Sequence, residues 1–160
     1  MQHADILLTG GTVLTLNGRL DCYAPGAVAV QGDSIVAVGP EEVVRAQVSA
    51  DTVVDCRGQI VLPGLVNAHT HMPMSLLRAM ADDLRLDVWL MGYMMPVERE
   101  FVSPEFVRLG TELSCAEMIR GGTTLVADMY YFEAEVATAM AAAGLRGVCG
   151  QTVMKYPAPD

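Results

Sequence analysis

Residues 62–71 of the chain read LPGLVNAHTH, an apolar segment that ends in two histidines. With residues 60 and 61 it forms a nearly continuous apolar run, which is typical of a strand buried on both faces of a parallel sheet. Side chains two residues apart on a strand point to the same face, with Cα atoms about 6.6 Å apart. His69 and His71 can therefore converge on one cation, which a histidine nitrogen binds at about 2.0–2.1 Å.

The alternative for His69 and His71 is a pair of polar residues at a strand end with satisfied hydrogen bonds. A bare His-x-His pattern favours that alternative, but this pair follows the C-terminal end of a buried strand, where α/β barrels carry their functional groups. The remaining histidine, His3, lies next to the N-terminus, and we expect it to be solvated and without a role. We therefore predict that His69 and His71 are metal ligands.

Residues 60–160 alternate between strand and helix signals. After the first strand, Ser103 can cap a helix that ends at Gly121. A strand, a helix and a strand follow, over residues 123–128, 133–143 and 145–150. This alternation predicts a parallel sheet with crossover helices. A closed (β/α)₈ barrel has eight strands and about 250 residues, so we expect residues 60–160 to form the first three strands of a TIM-like barrel that is incomplete in this chain.

Residues 1–59 show a different pattern, with short apolar strands and turns between them. Val28 and Val30 alternate with other residues, and turn signals stand at Asn17-Gly18 and Gly32-Asp33. We predict a small antiparallel β unit that forms the N-terminal portion of a β-sandwich. The expected organisation is thus an α/β chain with a sandwich portion at 1–59 and a barrel portion at 60–160.

Composition restricts the partners and the compartment. The 160 residues are 52% hydrophobic and 18% charged, and their net charge of −9 disfavours nucleic acid and anionic membranes as partners. The four cysteines form no close pair, which disfavours a zinc knuckle or a redox motif. No apolar run is long enough for a membrane span, and the first residues lack the features of a secretory signal. We expect a cytoplasmic protein with a small-molecule substrate, and homo-oligomer formation stays open.

Three segments carry a family pattern: DILLTGG at residues 5–11, VDCRG at 54–58 and LPGLVNAHTH at 62–71. With them the chain resembles the amidohydrolase superfamily, and within it the ATZ/TRZ-like hydrolases. The resemblance implies a composite β-sandwich, and a TIM-like barrel that holds one divalent metal, usually zinc. In that comparison His69 and His71 match two ligands from the first barrel strand. A third histidine, an aspartate and the catalytic glutamate are expected beyond residue 160, so the catalytic residues are unknown.

Further segments read MSLLRAMADDL at residues 74–84, WL at 89–90, PVE at 96–98 and EMIRGGTT at 117–124. They are similar to the 5-methylthioadenosine/S-adenosylhomocysteine deaminases of that group. This resemblance implies hydrolytic deamination of an adenosine-like nucleoside through metal-activated water, with Glu98 on the ribose hydroxyls. A carboxylate suits the task because it accepts hydrogen bonds from two adjacent hydroxyls. The alternative for Glu98 is a solvated helical residue paired with a nearby arginine.

Two other functions stay open. One is hydrolysis of another amino- or chloro-heterocycle of the triazine, guanine or cytosine type. Gln151 adds to this uncertainty, because some relatives have an arginine there for the far end of the substrate. The other is an inactive metal-binding fragment, because two histidines leave a tetrahedral zinc short of ligands. Trp89 is expected to pack beneath its segment or to face a purine. Asp128 closes the second strand and could contact the site, but we expect it to support a residue of the site or to anchor a loop.

Overall fold

A computed structural model describes residues 1–155 and 157–160 of the chain. Their contacts divide into two units, Met1–Pro63 and Gly64–Asp160, and each unit contains one sheet. The α/β fold class is confirmed, since the first unit is mainly strands and the second alternates strands with helices. Within the described residues, we find no helix with the length and hydrophobicity to span a membrane.

The first unit is a five-stranded sheet with one short helix. Its elements are β1 (Gln2–Leu14), β2 (Cys22–Gln31), β3 (Ser34–Pro40), α1 (Glu41–Gln47), β4 (Val48–Asp55) and β5 (Ile60–Val61). The strand order is β3-β2-β1-β4, and β5 also pairs with β1. One face carries small residues, among them Ala4, Ala27 and Ala29, and Val44 of α1 packs against them. The small side chains let the helix lie close to the sheet.

The prediction of an antiparallel unit is wrong for its last two strands. β4 and β5 run parallel to β1, whereas β2 is antiparallel to both β1 and β3. The cause is α1, which the sequence pattern did not predict. It carries the chain from β3 at one edge to β4 at the other, and a parallel pair needs such a crossover. Glu41 in the first turn and Arg45 in the last turn favour this helix through its dipole.

The prediction of one continuous strand over residues 60–66 is also wrong. Ile60 and Val61 pair with β1 of the first unit, and a new strand, β6, begins at Leu65. Pro63, which cannot donate a backbone hydrogen bond, stands in the interruption. Leu65 and Val66 are 50% and 60% exposed, so β6 is not buried on both faces in this chain. The apolar run therefore contributes one strand to each of two sheets.

The second unit contains a three-stranded parallel sheet in the order β6-β7-β8. Its strands and helices are β6 (Leu65–Thr70), α2 (Met95–Phe101), α3 (Pro104–Arg120), β7 (Thr123–Tyr130), α4 (Glu133–Ala143) and β8 (Arg146–Gln151). A 3₁₀ helix at Met72–Leu77 follows β6, and a π-helical segment at Val88–Met94 leads into α2. This strand–helix alternation is consistent with part of a (β/α) barrel.

The predicted ends of the long helices are confirmed. The hydroxyl oxygen of Ser103 accepts a hydrogen bond from the backbone N–H of Phe106, which caps the start of α3. Gly144 follows α4 with φ 82°, a left-handed conformation that favours glycine at a helix C-terminus. These ends depend on residues close in sequence, and this is why the pattern predicted them.

A close approach positions α3 against the segment that follows β6. A Cβ atom at Gly110 would lie 2.5 Å from the carbonyl oxygen of Pro73. The core beside this contact includes Met72, Val107 and Cys115, each at most 1% exposed. Glycine at position 110 therefore lets the helix backbone pack directly on the 3₁₀ helix, which fixes the chain just beyond His71.

Candidate metal and substrate site

His69 and His71 lie at the C-terminal end of β6, the first inside the strand and the second directly after it. Their ring centroids are 5.0 Å apart, and the ring planes meet at 75°. Two imidazoles that share one tetrahedral ion at about 2.0–2.1 Å per bond have centroids about 5 Å apart. The spacing of the rings therefore fits one shared metal ion.

The hydrogen bond made by His71 also fits the role of a metal ligand. Its Nδ1 lies 2.5 Å from the backbone carbonyl oxygen of Met129 at the end of β7. A carbonyl oxygen only accepts, so Nδ1 carries the hydrogen and donates it. The lone pair of Nε2 is then free for a cation, which is the usual arrangement of a histidine ligand held by a carbonyl.

Asp128 of β7 holds the chain next to this histidine. Its Oδ1 accepts a hydrogen bond of 2.7 Å from the backbone N–H of Met72, the residue after His71. The carbonyl oxygen of Met72 accepts from the hydroxyls of Ser114 on α3 at 2.7 Å and Ser75 at 2.9 Å. The expectation that Asp128 anchors a loop agrees with this contact.

A cavity of about 200 Å³ opens beside His71 and is also lined by Glu98. Most of its other walls are apolar or aromatic: Met74, Trp89, Leu90, Met94, Tyr130 and Met154. Trp89 thus faces the cavity, in line with the second of its two expected roles. The cavity joins one predicted metal ligand and the predicted ribose-binding residue, although 27 positions separate them in the sequence.

Glu98 is buried within α2, with 7% of its surface exposed. Its Oε1 accepts a hydrogen bond of 2.8 Å from the hydroxyl of Tyr130. Burial raises the pKa of Glu98, while the Tyr130 hydrogen bond and the nearby His71 act to lower that pKa. The alternative of a solvated glutamate paired with an arginine is therefore wrong.

A pair of buried carboxyl groups lies behind the cavity, and the sequence analysis did not predict the pair. Asp128 and Glu133 are each 4% exposed, and Oδ2 of Asp128 and both carboxyl oxygens of Glu133 have no hydrogen-bond partner among the described residues. Burial, and then the charge of Asp128, raise the pKa of Glu133 to about 7. Burial also raises the pKa of Asp128. The run DMYYFE at residues 128–133, directly after a predicted barrel strand, was the available signal for these residues and for Tyr130.

The first unit has its own group of ligand-type side chains. His3, Asp5 and Asp51 bring their nitrogen and carboxylate atoms within 4.8 Å of one another, and all three residues are exposed. Asp5 already accepts a hydrogen bond from the backbone N–H of Gly32. His3 and Asp51 lie 3.3 Å apart and form a surface pair. Surface pairs of this kind are common without a metal, so we assign none here.

Comparisons with known proteins are consistent across sequence and structure. The sequence profile of the Amidohydrolase family matches residues 60–158. The 5-methylthioadenosine/S-adenosylhomocysteine deaminase 1 of Syntrophus aciditrophicus is 44% identical over 160 residues, which are 100% of this chain and 36% of that protein. The corresponding deaminase of Syntrophobacter fumaroxidans is 48% identical over 158 residues, 99% of this chain and 36% of the relative. The chain thus spans about a third of the length of these relatives.

Solved structures show the same similarity. An adenosine deaminase from Xanthomonas campestris with bound zinc superposes with a TM-score of 0.90 at 40% identity, over 98% of this chain and 36% of that one. An atrazine chlorohydrolase from Arthrobacter aurescens in complex with zinc gives a TM-score of 0.80 at 25% identity, over 95% of this chain and 36% of that one. The donor set at His69 and His71 and these zinc-bound neighbours support a divalent metal.

Proposed function

The chain belongs to the amidohydrolase family, and from this premise we propose that its protein hydrolytically deaminates an adenosine-like nucleoside of the 5-methylthioadenosine/S-adenosylhomocysteine class. One observation carries the proposal: His71 and the buried Glu98 line the same cavity. A metal ligand beside a carboxylate that can bind a sugar is what such a substrate needs. The names of the similar deaminases support the same substrate class.

His69 and His71 would hold one divalent metal, and we propose zinc. Imidazole nitrogens suit this ion, the ring spacing of 5.0 Å fits a shared ion, and Met129 leaves Nε2 of His71 free. When bound, zinc supplies Lewis-acid activation of a water molecule at neutral pH. The remaining ligands and the catalytic glutamate would come from barrel strands outside this chain.

Glu98 would bind the ribose. Tyr130 donates to its Oε1 and thereby fixes the carboxylate at the cavity wall. The other oxygen, Oε2, can accept from a substrate hydroxyl, and Oε1 retains a second lone pair for the neighbouring hydroxyl. The hydrogen bond from Tyr130 also favours the ionised form, because it counteracts the effect of burial on the pKa of Glu98.

The apolar walls would hold the base and the substituent at the 5′ carbon of the ribose. Trp89 can stack on a purine, because its indole offers a flat apolar face. Met74 and Met94 contribute flexible, polarisable side chains that adapt to an apolar or thioether group. The protein chain would thus orient the ring toward the metal through contacts on both sides of it.

A second candidate is the hydrolysis of a triazine or another amino-heterocycle, and the similarity to a zinc-bound atrazine chlorohydrolase favours it. The third, an inactive metal-binding fragment, applies to this segment when it is separated from the other barrel strands. Glu98 separates the first two candidates, because only a nucleoside has ribose hydroxyls for it to bind.

The test is a kinetic comparison of the full-length wild type with Glu98→Gln on methylthioadenosine, adenosine, free adenine and a chlorotriazine. We expect the wild type to prefer the nucleosides. The variant should lose about tenfold to a hundredfold in kcat/KM on them, because a hydrogen bond to a charged group is lost. Glu100→Gln, an exposed residue of the same helix, is the matched control. Equal turnover of adenine or triazine with an indifferent variant would support the second candidate.

We also propose that the protein acts in the cytoplasm. The four cysteines are unpaired, as expected for a reducing compartment. Its oligomeric state is a separate question, for which light scattering of the full-length protein is the direct measurement.

A further inference from the structure

Asp128 is a buried acidic residue that does not line the cavity. It lies at the end of β7 and is 4% exposed. Its hydrogen bond goes to the backbone N–H of Met72 at 2.7 Å. That N–H belongs to the peptide bond between His71 and Met72. Asp128 therefore acts on the backbone of a proposed metal ligand and leaves the imidazole itself free.

The same peptide segment is held from several sides. The carbonyl oxygen of Met72 accepts from Ser75 and Ser114, and the ring of His71 donates to the carbonyl oxygen of Met129. Among these contacts, that of Asp128 is the one made by a carboxylate. Hydrogen bonds to an ionised acceptor are shorter and stronger than neutral ones, and they set direction more firmly.

Glu133 explains how Asp128 can keep its charge in a buried position. Both carboxyl oxygens of Glu133 and Oδ2 of Asp128 have no hydrogen-bond partner among the described residues. A proton on Glu133 lets that residue donate to Asp128, and two adjacent buried carboxyls do not both ionise readily. Glu133 is itself fixed, because its backbone N–H donates to Oε1 of Gln151. The negative charge of the pair is then directed at the Met72 amide.

We propose that Asp128 is a positioning residue for the metal site. By holding the amide of Met72, it fixes the backbone from which His71 presents its imidazole, and Glu133 is its buried partner. This inference rests on the proposed metal site at His69 and His71. Residues that orient a metal ligand through a hydrogen bond change metal affinity by about 10–100-fold when they are replaced.

The test measures zinc affinity of the full-length protein by competition with a chromophoric chelator, together with the absorption spectrum of bound cobalt(II). Asp128→Ala should weaken zinc binding about tenfold to a hundredfold and alter the cobalt spectrum, because the ligand loses its fixed direction. Asp128→Asn should lose less zinc affinity than Asp128→Ala, since its neutral amide oxygen still accepts from Met72 and its NH₂ can donate to Glu133. Should the alanine variant not fold, Asp128→Leu removes the acceptor without leaving a cavity.

Ser103→Ala is the matched control. It removes the cap of α3 and lowers the melting temperature without touching β7, so its zinc affinity and cobalt spectrum should stay those of the wild type. Wild-type zinc affinity in the alanine or leucine variant, or an equal loss in the control, overturns the inference.

The wild type and the His69→Ala/His71→Ala variant separate the two proposals. A wild type that binds no zinc, or a double variant that keeps it, refutes the metal site and the role of Asp128 together. A zinc site that depends on both histidines but not on Asp128 refutes only the positioning role.

Discussion

Tyr130 donates its hydroxyl hydrogen to Oε1 of Glu98 across 2.8 Å, and both side chains are less than a tenth exposed. The bond connects the end of β7 with α2. Burial, followed by the negative charge of Glu98, raises the pKa of Tyr130, so the phenol stays a donor over the whole physiological range. The position and the charge of Glu98 therefore depend on Tyr130.

Replacing Tyr130 with phenylalanine should weaken nucleoside turnover. Loss of the hydrogen bond raises the pKa of Glu98 further, so the acid limb of the kcat/KM profile should move to higher pH. We expect a loss of about fivefold to twentyfold in kcat/KM for adenosine at neutral pH. The control is Tyr93→Phe. Tyr93 lies in the π-helical segment that leads into α2 and is 45% exposed. An unchanged pH profile in Tyr130→Phe contradicts the role given to this bond.

The metal prediction concerns His69 and His71. Elemental analysis of the full-length protein should find about one divalent metal per chain, and His69→Ala with His71→Ala should remove it. His3→Ala should keep the full content, because His3 belongs to an exposed surface pair. Full metal content in the double variant would refute the assignment of the two histidines.

The carboxyl pair behind the cavity predicts a pH dependence of stability. The pKa of Glu133 is about 7 in the fold and 4.5 in its ordinary state. Between these values the folded state binds a proton that the unfolded state has released. The contribution of this group to the free energy of unfolding is therefore highest below pH 4.5. It should fall by about 1–3 kcal/mol as the pH rises from 4.5 through 7.

Glu133→Gln does not titrate, and it should flatten this part of the stability curve. Urea unfolding of the metal-free full-length protein at several pH values measures the effect. Glu135→Gln on the same helix is the control and should keep the wild-type slope. A Glu133→Gln curve that falls as steeply as that of the wild type would show that Glu133 is ionised at neutral pH.

Gly110 should not tolerate a side chain. Alanine normally favours a helix over glycine by about 1 kcal/mol, but here its Cβ would lie 2.5 Å from the carbonyl oxygen of Pro73. We expect Gly110→Ala to lower the free energy of unfolding by about 1–3 kcal/mol. Gly92→Ala has open space around the added carbon and should cost little. Thermal unfolding compares the two variants with the wild type. A Gly110→Ala variant as stable as Gly92→Ala would contradict the close packing of α3 on Pro73.

The 160-residue polypeptide alone should associate and lack deaminase activity. Leu65, Val66 and Val148 on β6 and β8 are 50%, 60% and 65% exposed, and an open parallel sheet leaves unpaired backbone groups. Light scattering should show oligomers or aggregates, whereas the full-length protein should melt cooperatively. A monomeric fragment with measurable turnover would contradict the view that the site needs further strands.

The sequence was sufficient for features that depend on near neighbours. The pair His69 and His71 follows from the two-residue repeat of a strand, which puts both side chains on one face. The cap at Ser103 and the end at Gly144 follow from backbone groups within one helical turn. The alternation of strand and helix after residue 64 also indicated the parallel sheet, because each of these elements has its own pattern of apolar residues along the chain.

Contacts between distant segments required the fold. No short stretch of the sequence indicates that residues 60 and 61 pair with β1 or that β4 runs parallel to β1. The same holds for the contacts of Tyr130 with Glu98 and of Asp128 with Met72. These partners lie 32 and 56 residues apart, so their meeting depends on how whole elements pack. Whether a glutamate is solvated or buried is set by that packing, because burial alters the energy of its charge. Glu98 and Glu133 show this: their neighbours in sequence do not reveal that they are buried, and the tertiary environment raises the pKa of both.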